Sequence, residues 1–98
     1  MRKLLLVTSN TCPACKRLQR EFWMPKIAPF LMERAEHVPV EGNFSRVQKM
    51  HIKHAPCIAL VDNGAVKAKY YGSNHPTATE LIEWVTKHDT HNENRQDD

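Results

Sequence analysis

The sequence predicts an α/β protein in which helices flank a central mixed sheet of four strands, in a minimal βαβαββα order. A short apolar run at residues 3–8 precedes a long stretch with helical periodicity, and a second strand-like run follows at residues 37–41. Together these segments predict a βαβ unit. Two later strand-like runs are joined by Asn63-Gly64, which predicts an antiparallel hairpin, and an amphipathic helix completes the order.

Residues 1–88 are predicted to form one domain, because a chain of 98 residues is long enough to enclose a single hydrophobic core. With 41% hydrophobic and 26% charged residues, the composition is typical of a folded protein. Residues 89–98 are almost wholly polar and are expected to form a disordered tail. The net charge of +3 is small and scattered, which argues against a nucleic-acid-binding surface.

The N-terminal segment does not predict export or membrane insertion. Its apolar run covers only residues 4–7, which is shorter than the ~7–15 residues of a signal-peptide core. No stretch approaches the ~20 apolar residues of a membrane span. The cysteines number three, and an odd number argues against a secreted module held together by disulfides. We therefore expect a cytoplasmic protein without a membrane partner.

The first strand and the helical stretch after it follow from their periodicity. Residues 3–8 lack polar alternation, which suits a strand that is buried on both faces of a sheet. Apolar side chains then recur at helical spacing as far as Ala35. Pro25 and Pro29 interrupt this pattern. Because proline removes a backbone donor and crowds the preceding turn, we expect a kink or two helical pieces there.

The next two elements are shorter. Residues 37–41 form a predicted strand that is weakened by Pro39. Residues 44–51 read as a short amphipathic helix, with Phe44, Val47 and Met50 on one side.

The last three elements carry the clearest boundary signals. The hairpin strands are predicted at residues 57–62 and 65–71, on either side of the Asn-Gly turn. The final helix is predicted over residues 77–87, where Thr77 and Glu80 have the spacing of a capping box.

Cys12 and Cys15 are separated by two residues, a spacing that serves both redox chemistry and metal binding. A structural zinc site needs four ligands. His51 and His54 have the spacing of a second ligand pair, and Cys57 would add a further thiolate. A zinc or iron–sulfur site is therefore one interpretation, although the two histidines stand in a segment that must lead into a strand.

The context of the cysteine pair favours a redox dithiol, since the pair follows a buried strand and opens a helix. Cys12 is expected at the N-cap, with Pro13 at the first helical position. Free backbone N–H groups and the helix dipole then lower the pKa of Cys12 and make it the nucleophile. Lys16 and Arg17 add positive charge nearby. Cys15, one turn further along, is more shielded and suits a resolving thiol.

The later part of the sequence resembles the thioredoxins. Residues 52–72, IKHAPCIALVDNGAVKAKYYG, contain a proline before the central strand, an Asn-Gly turn and a glycine after the next strand, in the order that thioredoxins share. Residues 27–35, IAPFLMERA, are similar to the end of the thioredoxin active-site helix. The resemblance covers residues 3–88 and implies a thioredoxin-like fold in which Pro56 is a cis-proline.

The resemblance also implies how a site would be arranged. Pro56 would lie against the Cys12–Cys15 pair, which would form the redox disulfide. The backbone of Ala55 would pair with an extended segment of the substrate. The other substrate-binding residues that the resemblance implies are Thr11, Pro13, Ala14 and Gly72.

Several features depart from thioredoxins. The chain begins with the strand before the active site, as glutaredoxins do, and Thr11 stands where thioredoxins have tryptophan. Leu6 occupies the position of the buried acid that assists proton transfer in thioredoxins. The dipeptide Pro13-Ala14 is closer to glutaredoxins, yet residues 54–56 replace their T-V-P motif. A glutathione-dependent glutaredoxin is therefore the nearest alternative.

We expect a monomeric thiol–disulfide oxidoreductase that reduces protein disulfides and needs no bound cofactor or metal. The resemblance implies an external reductant, either a thioredoxin reductase with NADPH or glutathione. It also implies protein disulfide clients, ribonucleotide reductase among them. No nucleic-acid partner is expected, because the positive charge is small and scattered. Cys57 is either a third redox-active thiol or a small buried core residue, and the second interpretation is favoured.

Overall fold

The computed structural model describes residues 1–72 and 74–95. In chain order, its elements are β1 (Arg2–Thr8), α1 (Pro13–Leu18), a π-helix (Gln19–Ile27), α2 (Ala28–Leu31), a 3₁₀ turn (Met32–Arg34), β2 (Ala35–Pro39), α3 (Phe44–Lys49), β3 (Cys57–Asp62), β4 (Ala65–Tyr71) and α4 (Ala78–Arg95).

The four strands form one mixed sheet in the order β2-β1-β3-β4. β1 pairs parallel to β2, with Leu4 opposite Ala35, and antiparallel to β3. β3 and β4 form the hairpin that the Asn63-Gly64 dipeptide predicts. Both turn residues have positive φ, as a type I′ turn requires. The predicted fold class, a mixed four-stranded sheet flanked by helices, is confirmed.

β1 is one of the two inner strands and is buried on both faces of the sheet. Leu4 and Leu6 belong to one core cluster, whereas Leu5 and Val7 belong to a second. This division follows from the alternation of side chains along a strand. The first cluster also contains residues from the π-helix and α4, namely Trp23, Ile27, Leu81 and Val85. The absence of polar alternation in β1 is therefore explained by a hydrophobic layer on each side.

The first helical stretch changes from an α-helix to a π-helix in the region where the sequence predicts a kink or two helical pieces. α1 passes directly into the π-helix, which contains Pro25. A π-helix shifts its hydrogen bonds from i→i+4 to i→i+5, so an added residue can be accommodated without interrupting the helical path. Pro29 lies in the first turn of α2, where a missing N–H group is tolerated. The π-helix buries Trp23 and Ile27 in the core.

Three predicted boundaries in the middle of the chain, both ends of β2 and the end of α3, are wrong by two residues. β2 occupies Ala35–Pro39 and not residues 37–41, and it is an edge strand that ends at Pro39, where a missing donor is tolerated. α3 ends at Lys49, two residues earlier than predicted. Val47 is buried as expected, but Phe44 is 67% exposed and does not lie on the core face.

α4 begins with the predicted capping box and continues beyond its predicted end. The backbone N–H of Thr77 donates to Oε1 of Glu80, and the backbone N–H of Glu80 donates to Oγ1 of Thr77. The helix runs on to Arg95, since the polar residues after position 87 include no glycine or proline to end it. Residues 89–95 of the expected tail are therefore helical, and residues 96–98 lie outside the described residues.

Within the described part of the chain, no helix combines the length and the apolar composition that crossing a membrane requires.

An ion pair between α3 and the edge strand makes the stability depend on pH. Glu36 accepts two hydrogen bonds from Arg46, at 2.8 and 3.0 Å, and one from Lys3 at 3.3 Å. The hydrogen bond from Arg46 is the main reason why the pKa of Glu36 falls from its ordinary value of 4.5 to about 2, with a smaller contribution from Lys3. The ion pair therefore stabilises the fold above pH 4.5 and ceases to do so as the pH falls to about 2.

We expect Glu36→Gln to lower the free energy of unfolding at pH 7 by at most about 1 kcal/mol, since the pair is screened by solvent. The difference from wild type should shrink steadily as the pH falls from 4.5 towards 2. Urea unfolding of both proteins at several pH values measures this difference. A constant difference across the range would show that the charge of Glu36 is not its cause.

Candidate active site

The Cys12–Cys15 pair lies where β1 ends and α1 begins. Cys12 is the N-cap residue of α1 with an extended backbone, and Pro13 occupies the first turn. The two sulfur atoms are joined in a disulfide, and the two Cα atoms are 5.2 Å apart. Cys12 is partly exposed, whereas Cys15 is 1% exposed. The expected disulfide is therefore present, with one accessible sulfur and one shielded sulfur.

The start of α1 favours negative charge on the sulfur of Cys12. The backbone N–H of Cys15 donates to Sγ of Cys12 over 3.1 Å. The positive end of the helix dipole lies at the same point. The first turn contains no acidic residue, and Lys16 and Arg17 follow with exposed side chains. In the reduced protein, these features stabilise a thiolate at Cys12.

The Cys12 sulfur lies beside the backbone that leads into β3. The Ala55–Pro56 peptide bond is cis, as the resemblance to thioredoxins implies. Sγ of Cys12 is 3.7 Å from the carbonyl oxygen of Ala55. Pro56 is buried and is followed immediately by β3. The structure thus brings together Cys12, Ala55 and Pro56, three of the residues that were assigned to the site from the sequence.

A mainly apolar groove of about 280 Å³ lies next to this arrangement. Ala14, Pro56 and Gly72, three of the residues that the resemblance implies for substrate binding, line it. Gly72 has a positive φ, and its backbone N–H donates to the carbonyl oxygen of Pro56 over 3.0 Å. Leu18 and Phe22, further along the helical stretch, also line the groove. These two residues were not anticipated from the sequence.

Thr11 and Pro13 are not among the residues that line the groove. Both are exposed at the start of α1. The side chain and backbone of Thr11 contact the hydroxyl group of Ser9, at 3.3 and 3.4 Å. The structure therefore places these two residues at the surface around the cysteine pair and outside the apolar groove.

Side chains of β4 hold the segment that precedes Pro56. Nζ of Lys69 donates to the carbonyl oxygen of His51 over 2.9 Å. The hydroxyl oxygen of Tyr71 accepts a hydrogen bond from the backbone N–H of Lys53 over 3.4 Å. Strand alternation places Lys69 and Tyr71 on one face of β4, but no sequence motif indicates that the loop lies against that face. These supporting contacts were therefore missed.

The arrangement of the cysteines favours redox chemistry over metal binding. Cys12 and Cys15 are bonded to each other, while Cys57 is buried in the sheet. His51 and His54 are exposed. Among the residues that the structure describes, no group of three or more histidine, cysteine or acidic side chains is arranged to hold a metal ion.

Cys57 is a core residue at the start of β3. It is fully buried in the cluster that contains Val7, and its burial raises the pKa of its thiol to about 11. A backbone hydrogen bond from Tyr70 and the charge of Lys69 oppose this shift but do not outweigh it. At neutral pH, Cys57 is therefore protonated and inaccessible, which makes it unreactive.

When the reduced native protein is treated with iodoacetamide at pH 7.5, we expect alkylation of Cys12 and essentially none of Cys57. Mass spectrometry of proteolytic fragments measures the extent at each cysteine. The same reaction in guanidinium chloride is the control, and there all three cysteines should react. Alkylation of Cys57 at a rate close to that of Cys12 in the native protein would contradict its burial.

Known structures share this architecture, although no protein-family model and no curated protein matches the sequence. Thioredoxin from Fasciola hepatica matches with a TM-score of 0.67 and 19% identity, over 89% of this chain and 80% of that chain. Mitochondrial thioredoxin 3 from Saccharomyces cerevisiae matches with a TM-score of 0.62 and 17% identity, over 88% and 77%. Thioredoxin 1 from Thermosipho africanus matches with a TM-score of 0.60 and 17% identity, over 88% and 92%.

These matches span most of both chains, and the mixed four-stranded sheet flanked by helices matches that of these neighbours. The chain therefore has the thioredoxin fold.

Proposed function

We propose that the protein is a thiol–disulfide oxidoreductase that reduces disulfides in other proteins through a Cys12/Cys15 dithiol–disulfide cycle. The observation that carries the proposal is the disulfide at the start of α1, with one partly exposed sulfur and one shielded sulfur. Helix-end donors activate the first sulfur as a nucleophile, and the second lies within bonding distance for the resolving step. The thioredoxin fold supports this assignment, since a cysteine pair with two intervening residues is the redox motif typical of thioredoxin-like proteins.

The cycle begins with the reduced protein. The thiolate of Cys12 attacks one sulfur of a client disulfide, so that a Cys12–client disulfide forms and the other client sulfur leaves as a thiolate. Cys15 then loses its proton and attacks Sγ of Cys12, which releases the second client thiolate. Protons from solvent convert the client thiolates to thiols. Two electrons pass from the protein to the client, and the Cys12–Cys15 disulfide remains.

The surface around Cys12 suits an extended protein segment. The carbonyl oxygen of Ala55 lies 3.7 Å from Sγ of Cys12, at the edge of the loop before β3. A client strand that pairs with this backbone would carry its own sulfur to Cys12. The apolar groove beside Pro56 and Gly72 would take a neighbouring client side chain. Thr11, Pro13 and Ala14 would complete the contact surface.

The cycle closes when an external reductant reduces the Cys12–Cys15 disulfide. We assign this step to a thioredoxin-reductase-like flavoprotein that uses NADPH, with no cofactor bound to the chain itself. In this proposal the protein acts as a monomer in the cytoplasm, and ribonucleotide reductase is one client. Glutathione as the donor, which would make the protein a glutaredoxin, is the alternative that the Pro13-Ala14 dipeptide favours.

Reduction of insulin tests the proposed activity. With dithiothreitol as the electron source, catalytic amounts of the protein should accelerate the precipitation of insulin chains. Replacing dithiothreitol with NADPH and a thioredoxin reductase, or with NADPH, glutathione reductase and glutathione, compares the two donors. The control is Cys57→Ala, which should retain the activity because the Cys57 thiol is buried away from the cycle.

The results of these assays distinguish a thioredoxin-type protein from a glutaredoxin-type protein and from one without this activity. Insulin reduction supported by the thioredoxin reductase supports the proposal. Turnover of a glutathione mixed disulfide, with no response to the reductase, would instead assign the protein to the glutaredoxin type. An inactive wild-type protein under all three donors would overturn the proposed function.

A further inference from the structure

An acidic side chain two residues beyond the end of β2 holds the loop between β1 and α1. Oε2 of Glu41 accepts a hydrogen bond from Oγ of Ser9 over 3.1 Å and another from the backbone N–H of Asn10 over 3.0 Å. Close by, the backbone N–H of Val40 donates to the carbonyl oxygen of Thr8 over 2.7 Å. The carboxylate therefore joins two chain segments that leave the sheet side by side and that are 31 residues apart in sequence.

Ser9 connects this carboxylate to the nucleophile. Its side chain donates to Glu41, while its carbonyl oxygen accepts a hydrogen bond from the backbone N–H of Cys12 over 3.2 Å. Its hydroxyl oxygen also accepts from the backbone N–H of Thr11 over 3.4 Å. A displacement of Ser9 would therefore disturb the position of Cys12, and with it the contact between the Cys12 sulfur and the N–H group of Cys15.

Glu41 is ionised when it makes these contacts. Its own backbone N–H group is the main reason why the pKa of Glu41 lies below its ordinary value, and the backbone N–H of Asn10 and the side chain of Ser9 lower it further. Hydrogen bonds to a charged acceptor are stronger and more directional than bonds between neutral groups. A carboxylate is therefore well suited to keep this exposed loop in one conformation.

We propose that Glu41 is a positioning residue for Cys12: its bonds to Ser9 and Asn10 keep the Cys12 sulfur against the first-turn N–H group of α1. The inference rests on the proposed function, in which Cys12 is the nucleophile. Glu41 does not touch the reacting atoms in the described structure and acts only through the loop.

The rate at which Cys12 of the reduced protein reacts with iodoacetamide tests this proposal without a client or an electron donor. Glu41→Ala should lower the rate at pH 7 by about tenfold, the scale of one lost hydrogen bond to a charged group, and should shift the pH profile of alkylation upwards. Removing a negative charge alone would favour the thiolate and speed the reaction. A slower reaction therefore reports the position of the sulfur.

Two matched variants complete the design. Glu41→Gln retains an oxygen that accepts from the loop, so its rate should stay within about threefold of wild type. Glu33→Ala removes an equally exposed charge next to the opposite end of β2 and should leave the profile unchanged. Each rate is measured on the Cys12 fragment by mass spectrometry, at a temperature where circular dichroism shows that the variant is folded.

The proposal fails if Glu41→Ala and wild type share one pH profile, even if the variant is less stable, because Glu41 would then be a structural contact only. If Glu41→Ala does not fold, Ser9→Ala serves instead, and it should shift the profile in the same direction by a smaller amount. An unchanged profile for Ser9→Ala would overturn the proposal. Since alkylation needs no disulfide substrate, these outcomes are independent of the insulin assay.

Discussion

Replacing Cys15 with serine is expected to trap the protein in a disulfide with its clients. Cys12 keeps its place at the start of α1, so it can still attack a client disulfide. The serine hydroxyl cannot displace the client sulfur, and the mixed disulfide should persist for minutes to hours, the ordinary timescale of uncatalysed exchange. In the wild type, the neighbouring Cys15 resolves it before it accumulates. Non-reducing electrophoresis after incubation with oxidised insulin, followed by mass spectrometry, detects the adduct.

Cys12→Ser is the matched variant and should form no adduct, because the remaining Cys15 is 1% exposed. Both variants should lose catalytic insulin reduction, but only Cys15→Ser should become covalently attached. Dithiothreitol should release the trapped client, which shows that the link is a disulfide. Adducts on Cys12→Ser and none on Cys15→Ser would reverse the two roles and contradict the exposures of the two sulfurs.

Elements with a local physical cause could be predicted from the sequence. The β-hairpin lies at the predicted residues because Asn63 and Gly64 readily adopt the positive φ of a tight turn. The capping box of Thr77 and Glu80 likewise marks the start of the last helix. In both cases, the signal is contained within four neighbouring residues and does not depend on the rest of the fold.

Elements that depend on distant partners were predicted less accurately. The π-helix around Pro25 cannot be recognised from periodicity, since Trp23 and Ile27 keep the spacing of an ordinary helix while the hydrogen bonds shift by one residue. The shift of β2 has a similar origin. Its register is determined by pairing with β1, where Leu4 faces Ala35, and the strand's own residues contain no comparable signal.

The residues of the candidate site also fall into two groups: those that the sequence could identify and those whose role depends on distant contacts. Cys12 and Cys15 could be identified because their two-residue spacing falls where a helix begins. Pro56 could be identified because the resemblance to thioredoxins implies a cis-proline before β3. Glu41 could not, since its contacts with Ser9 and Asn10 join residues more than 30 positions apart. Long-range hydrogen bonds of one exposed carboxylate leave no periodic or spacing signal in a single sequence.

Replacing Trp23 with alanine should produce the largest loss of stability among the predictions. Trp23 is 2% exposed and lies in the core cluster between the π-helix, β1 and α4. Removal of a buried tryptophan costs about 3–5 kcal/mol, because both apolar burial and packing contacts are lost. Since small domains are stable by about 5–15 kcal/mol in total, the midpoint of urea unfolding should fall markedly. Circular dichroism measures it without depending on tryptophan fluorescence.

Met24→Ala is the matched control, since Met24 follows Trp23 on the same π-helix but is 54% exposed. It should change the free energy of unfolding by about 0.5 kcal/mol or less. If Trp23→Ala does not unfold cooperatively, Trp23→Phe should lie between it and the wild type, because the phenyl ring fills part of the space. Equal losses for the two alanine variants would mean that the π-helix does not direct Trp23 into the core. The helical stretch that begins at Cys12 would then lack the anchor that holds it against the sheet.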